Sequence, residues 1–132
     1  MKNIRLFIIC IFVVTFLNSC DFYSKADITI KNESSYNLKI NIKYKELPRD
    51  HYDGEENINI KMGESATFRL GRIGGVGVEP RNPNNDIISI TFFDIDTNNV
   101  IKELNTNDLF NLINQNKYNA DYLFIISDDL LH

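Results

Sequence analysis

The chain has 132 residues, with 14 Lys or Arg against 18 Asp or Glu, so its formal net charge is −4. This length allows one domain, and the 43% of apolar residues is enough for a folded core. The acidic balance argues against a nucleic-acid-binding role, because such a role requires a basic face opposite the phosphates.

The first nineteen residues differ from the rest of the chain. They contain Lys2 and Arg5, no acidic residue, and an apolar run from Leu6 to Leu17 that only Thr15 interrupts. Twelve helical residues at ~1.5 Å each cover about 18 Å, which is well short of the ~30 Å hydrocarbon core of a bilayer. Residues 1–19 are therefore predicted to be an export signal that is removed.

Cys20 follows this segment directly and is the candidate attachment residue. The run Leu17-Asn18-Ser19-Cys20, followed by the acidic Asp21, resembles the lipobox of bacterial lipoproteins. The resemblance implies cleavage between Ser19 and Cys20 and fatty-acyl modification of Cys20, and two or more acyl chains hold a protein stably on a membrane. Residues 20–26 are then expected to be a lipidated tether. The alternatives are an ordinary secretory signal and an uncleaved membrane helix.

Apolar and polar residues alternate from Asp27 onward, which predicts β-strands with one buried face and one solvated face. Four segments show this pattern: 28–31, 36–45, 57–62 and 66–70. Residues 32–35 and the pair Gly63-Glu64 have the composition of turns. The four strands and their turns predict an antiparallel sheet.

The second half of the chain indicates strands that are covered on both faces. Residues 87–93 and 122–126 are apolar on both sides, and a short strand is expected at 100–103. Leu109, Phe110, Leu112 and Ile113 form an apolar stripe that predicts one α-helix near 106–115, covering the sheet with those two strands. The predicted fold is a two-sheet antiparallel β-sandwich of about seven strands over 27–132, immunoglobulin-like or transthyretin-like, with a partly open barrel as the alternative.

The glycine-rich segment 71–86 is the candidate partner-binding loop. It lacks the Lys-Ser/Thr and the following helix that a phosphate-binding loop requires, and Pro80 and Pro83 interrupt it. Long connections without secondary structure are often functional. The residues expected to contact a partner are Arg72, Ile73, Val76, Val78 and Arg81.

Two acidic segments are weaker candidates for a metal site. Residues 94–98 match the opening of a calcium loop, but Asn99 and Asn105 stand where the Gly and Glu belong, so a hairpin turn with a left-handed Asn is predicted. Residues 50–56 combine His51 with four carboxylates, and a solvated loop is predicted there. No metal, cofactor or catalytic residue is predicted, although a small hydrolase that uses clustered carboxylates remains an alternative.

These patterns together predict a lipid-anchored lipoprotein of a Gram-negative cell envelope, in the outer rather than the inner membrane. The expected role is a non-catalytic binding or accessory module for a protein or glycan partner, with contacts from residues 47–57 and 71–86. The alternative is an inhibitor or immunity protein that blocks an envelope hydrolase.

Overall fold

The computed structural model describes residues 22–45, 54–74, 79–105 and 108–132. Most of these residues belong to eight strands, and two short helical turns accompany them, one before the fifth strand and one after the last. The strands are β1 (Phe22–Asn32), β2 (Leu38–Tyr44), β3 (Glu55–Ile60), β4 (Ser65–Gly74), β5 (Ile87–Asp94), β6 (Val100–Asn105), β7 (Asn111–Gln115) and β8 (Asn119–Ile126). The helical turns are α1 (Pro83–Asp86) and α2 (Asp128–Leu131).

The strands form two four-stranded sheets that pack against each other. The first sheet has the order β4-β1-β8-β7, and the second has the order β3-β2-β5-β6. Neighbouring strands are antiparallel, with the exception of β1 and β8, which run parallel from the pair Lys25 and Asn119 to the pair Asn32 and Ile126. The prediction of a two-sheet β-sandwich is confirmed, with eight strands in place of about seven.

The core lies between the sheets and follows the alternation in the sequence. In β1, Ala26, Ile28 and Ile30 are fully buried, whereas the residues between them are partly exposed. Phe124 of β8 packs its ring 6.4 Å from that of Phe92 and 5.2 Å from that of Phe110, measured between centroids. Removal of this apolar surface from water is the main force that holds the sheets together.

The predicted helix near 106–115 is wrong. Residues 111–115 form the edge strand β7, which pairs with β8. The backbone N–H of Phe110 donates to Asn84 Oδ1 and its C=O accepts from Asn84 Nδ2, at 2.9 Å each, so this N–H is not available for a helical hydrogen bond. A bulge between Leu112 and Asn114 leaves Leu112 and Ile113 exposed on the edge strand instead of buried along a helical stripe.

The prediction that the first four strands form one antiparallel sheet is also wrong, because β1 and β4 belong to the first sheet and β2 and β3 to the second. The turn at Gly63, where φ is +78°, joins β3 of the second sheet to β4 of the first and is therefore not a hairpin. The doubly apolar strands β5 and β8 likewise belong to different sheets. The prediction that both faces of these strands are covered is wrong: the opposite sheet covers the inner face, whereas Ile88 of β5 is 53% exposed and Ile125 of β8 is 41% exposed on the outer face.

The boundary between tether and domain lies earlier than predicted. β1 begins at Phe22 and pairs with β4 from Phe22 opposite Gly74 onward. Ser24 and Ala26, expected in the tether, are buried in the sheet. Of the predicted tether, only residues 20 and 21 precede the first strand.

Candidate functional site

Two opposite ends of the sandwich carry the connections between strands. The proximal end is the one at which β1 begins, and it also contains the end of β4, residues 79–86 and the turn 116–118. The distal end is the one at which β1 ends, and it contains residues 31–37, 61–64, 94–99 and 127–132. Each end collects segments that are distant in sequence, so each is a candidate recognition surface.

The two segments predicted to contact a partner meet at the proximal end. Gly54 belongs to the first segment, Lys45 lies two residues before that segment, and the Tyr44 N–H donates to the Gly54 carbonyl at 2.9 Å. The Lys45 N–H donates at 2.7 Å to the carbonyl of Asp86, which ends the second segment. Ser24 Oγ donates to the Glu79 carbonyl at 3.2 Å. The described parts of both segments are thereby joined to each other and to β1.

Arg81 is the residue that joins them most closely. Its Nε donates to Asp86 Oδ2 at 2.8 Å, and its Nη2 donates to the Lys45 carbonyl at 2.6 Å. The guanidinium also lies 5.6 Å from the centre of the Tyr44 ring. Only 2% of Arg81 is exposed. The guanidinium therefore holds the two connections together. Arg81 was predicted to contact a partner, but in this arrangement its side chain is buried and not accessible to one.

The other predicted contact residues are placed only in part. Arg72 and Ile73 belong to β4, opposite Ser24 and Tyr23, so the predicted loop begins later than residue 71. Val76 and Val78 lie outside the described residues, as do Ser19, Cys20 and most of the acidic segment 50–56 with His51.

The distal end is held by two asparagines. Asn32 is fully buried, and its Nδ2 donates to the Tyr36 carbonyl at 2.8 Å while its Oδ1 accepts from Ser34 Oγ at 2.6 Å. Asn37 accepts from the Ile95 N–H through its backbone carbonyl at 3.0 Å, and from the Met62 N–H through Oδ1 at 3.1 Å. Asn37 thus ties the turn after β3 to the turn after β5.

The turn after β5 has the predicted hairpin geometry. Asp94 Oδ1 accepts from the N–H groups of Asp96 and Thr97 at 2.8 and 3.1 Å, and Asn98 has a φ of +56°. The strands on either side, β5 and β6, are antiparallel neighbours. The prediction of a hairpin turn with a left-handed Asn is therefore confirmed. One oxygen of the Asp94 carboxylate stabilises this turn.

Three large apolar side chains are exposed on or beside these turns. Met62 is 62% exposed, Val100 is 59% exposed and Ile95 is 36% exposed. We call these three residues the distal patch. Met62 and Ile95 both bond to Asn37, and Val100 pairs with Phe93, which precedes the turn. Met62 and Ile95 are therefore neighbours through Asn37, and Val100 lies at the same end of the sandwich, at the start of the edge strand β6.

The distal patch lies among acidic side chains. The distal segments contain two lysines and six carboxylates: Lys31, Lys61, Glu33, Glu64, Asp94, Asp96, Asp128 and Asp129. Hydrogen bonds from the backbone N–H and the hydroxyl of Ser35 lower the pKa of Asp128, so this carboxylate keeps its charge in moderate acid. The surface therefore combines aliphatic contact area with negative charge.

Sequence reasoning missed the distal patch. Met62 continues the alternation of Ile58 and Ile60 and was expected on the buried face, but β3 ends at Ile60 and Met62 belongs to the turn. The left-handed Gly63 that follows is the sequence signal that could have placed Met62 outside the strand.

Neither end has the features of a metal centre in the part of the chain that the structure covers. Within residues 22–45, 54–74, 79–105 and 108–132, no three His, Cys, Asp or Glu side chains come close enough to share a metal ion. In the same ranges, no helix is long and apolar enough to cross a bilayer.

Comparisons of the chain with protein-family models, with curated proteins and with solved structures found no match.

Proposed function

We propose that the chain is a lipid-anchored lipoprotein of a Gram-negative envelope, in the outer membrane, that binds a protein partner through the distal patch and catalyses no reaction. One observation carries this proposal: the lipobox-like run ends at Cys20, two residues before β1, and the exposed apolar patch lies at the opposite end of that strand. An anchor at one end leaves the other end to face outward.

The chemistry of the patch favours a protein over a glycan. Its aliphatic side chains offer no donors or acceptors to sugar hydroxyl groups, whereas they match the apolar centre of a protein interface. The surrounding carboxylates complement a basic rim on the partner and would speed its association. Because hydrogen bonds to Asn37 hold the turns of Met62 and Ile95, little ordering entropy is lost on binding.

The anchor is tested by mass spectrometry of the protein from the cells that make it. We expect an N-terminal Cys20 that carries diacylglyceryl and acyl groups, and partition of the protein into detergent. A Cys20→Ser variant should partition into the aqueous phase, and a Ser19→Thr variant, which keeps a small residue before the cysteine, should stay anchored. An unmodified thiol on the wild-type protein would refute the anchor.

The partner surface is tested by photo-crosslinking in cells. Crosslinkable residues at Met62 and at Ile95 should trap the same protein, and Thr67, which is exposed on the outer face of β4, is the control position. Met62→Asp should abolish the crosslink from Ile95, and the purified pair should form a complex that Met62→Asp weakens. Equal yields at all three positions would refute the patch. A tight one-to-one complex with a hydrolase that thereby loses activity would favour the inhibitor alternative.

A further inference from the structure

We infer that the domain stands upright on the membrane: the proximal end contacts the lipid headgroups, the strands run roughly along the membrane normal, and the distal patch points away. This inference rests on the proposed lipid anchor at Cys20. It adds the surface that meets the bilayer, which the anchor alone does not define.

The short connection between anchor and fold is the first argument. Two residues of extended chain span at most about 7 Å, and β1 begins at Phe22. The strand cannot release more chain cheaply, because its first residues pair with the end of β4 and Ala26 is fully buried. The start of β1 is therefore held within about 7 Å of Cys20, and so close to the headgroups.

The length of β1 is the second argument. Its eleven residues span about 33 Å from the first Cα to the last, which is ten steps of ~3.3 Å. When the domain is upright, the distal patch lies about that far above the proximal end, which is beyond reach of the headgroups. The domain would have to lie on one side for the patch to touch lipid.

Charge disfavours two other postures, one in which the domain is inverted and one in which it lies on the outer face of the first sheet. The distal end would bring six carboxylates and two lysines against an anionic lipid surface. The outer face of the first sheet would bring the ion pair of Asp27 and Arg69, with a bond of 2.6 Å, out of water. The outer face of the second sheet carries Lys39 and Lys43, so the experiment must examine that face separately.

The turn 116–118 supplies side chains suited to the interface. The Lys25 N–H donates to the Tyr118 carbonyl at 2.8 Å, which fixes this turn beside the start of β1. Lys117 is exposed, and its Nζ lies 5.2 Å from the centre of the Tyr118 ring. Tyrosine and lysine are residues that place an apolar body and a polar tip across a lipid–water interface.

The experiment uses single engineered cysteines on the lipidated protein. Cys10 and Cys20 are the two cysteines of the chain. In the proposed processing, Cys10 is removed with the signal and Cys20 is lipidated, so an engineered cysteine is the one free thiol. A fluorophore is attached at Lys117→Cys, Thr67→Cys, Asn59→Cys or Asp96→Cys, which sample the proximal end, the outer faces of the two sheets and the distal end. The proteins are purified from the cells that make them and reconstituted into phosphatidylethanolamine–phosphatidylglycerol vesicles with headgroup-linked nitroxide quenchers.

We expect strong quenching at position 117 and no quenching at position 96 above that seen with quencher-free vesicles. Positions 59 and 67 should be quenched far less than position 117. Quenching at 59 or 67 equal to that at 117 would mean that the domain lies flat, and quenching at 96 would mean that it is inverted; either overturns the posture.

The same preparation separates a failed posture from a failed anchor. Vesicles are floated on a density gradient before the fluorescence is measured, and circular dichroism verifies the fold of each variant. Protein that floats but is quenched at the wrong positions overturns the upright posture alone. Protein that does not float overturns the lipid anchor and the posture that depends on it.

Discussion

Replacing Arg81 with Ala should be among the most destabilising single changes at the proximal end. The substitution removes the bond of 2.8 Å to Asp86 and the bond of 2.6 Å to the Lys45 carbonyl, together with the contact to the Tyr44 ring. The Asp86 carboxylate and the Lys45 carbonyl both lose their guanidinium donor, which holds residues 79–86 against the end of β2. The expected result is a lower free energy of unfolding without a change of fold.

The magnitude follows from the burial of the pair. Removing one partner of a buried ion pair costs about 3–5 kcal/mol, and a hydrogen bond to a charged group contributes about 1.5–3 kcal/mol. Asp86 keeps 18% of its side chain exposed, so water partly replaces the lost guanidinium. We therefore expect Arg81→Ala to lower the free energy of unfolding by about 2–4 kcal/mol, within a total of about 5–15 kcal/mol for a domain.

Arg69→Ala is the matched control. Arg69 also donates to a carboxylate, with its Nε 2.6 Å from Asp27 Oδ1, but 51% of its side chain is exposed. Exposed ion pairs contribute about 0–1 kcal/mol. Urea unfolding followed by far-ultraviolet circular dichroism suits this chain, which lacks Trp. Equal losses for the two variants, within about 0.5 kcal/mol, would refute the argument from burial.

Three further predictions concern β1 and the distal turns. The side-chain hydrogen bond from Arg69 lowers the pKa of Asp27 below its usual 3.8. Asp27→Asn should therefore lower the urea midpoint at neutral pH, and the difference should shrink as the pH falls below the usual pKa of Asp and through the lowered one, because the stabilisation is lost over that range. Asn98→Val should cost about 1–2 kcal/mol and Asn98→Gly almost nothing, measured by thermal unfolding, because φ at this position is +56°. Asn32→Ala should cost about 2–4 kcal/mol in urea unfolding, because it leaves several buried polar groups without partners.

The strands of the first half were predictable because their signal is local. Alternate residues of β1 and β2 enter the core, and that pattern needs no knowledge of the rest of the chain. Membership of the two sheets was not predictable in this way. It depends on pairings such as Lys25 with Asn119, which lie far apart in sequence.

The predicted helix shows how a distant contact overrides a local pattern. Leu109, Phe110, Leu112 and Ile113 fit a helical stripe, and a short apolar run fits either element. The side chain of Asn84, 26 positions away from Phe110, occupies the backbone N–H that a helix would have used. Pairing with β8 then makes the following residues an edge strand.

The site was predicted less well than the fold. Arg81 was assigned to a partner surface because it lies in a long connection, and long connections are often functional. Its burial depends on Asp86 and on the carbonyl of Lys45. The distal patch requires knowledge of where β3 ends and of which turns share Asn37. Neither the end of β3 nor the shared contact with Asn37 can be inferred from the identities of Met62, Ile95 and Val100.

Asparagine accounts for 18 of the 132 residues, and the connections explain part of this abundance. Asn37, Asn82, Asn84 and Asn116 each satisfy backbone groups in a turn, and Asn98 adopts a left-handed conformation that most residues avoid. The chain contains no cysteine after Cys20, so no disulfide can fix the connections beyond it. Side-chain amides perform this function locally, at about 0.5–1.5 kcal/mol for each hydrogen bond. If the distal patch binds a partner as proposed, rigid turns favour that binding, because little conformational entropy is lost when a surface of three aliphatic side chains docks.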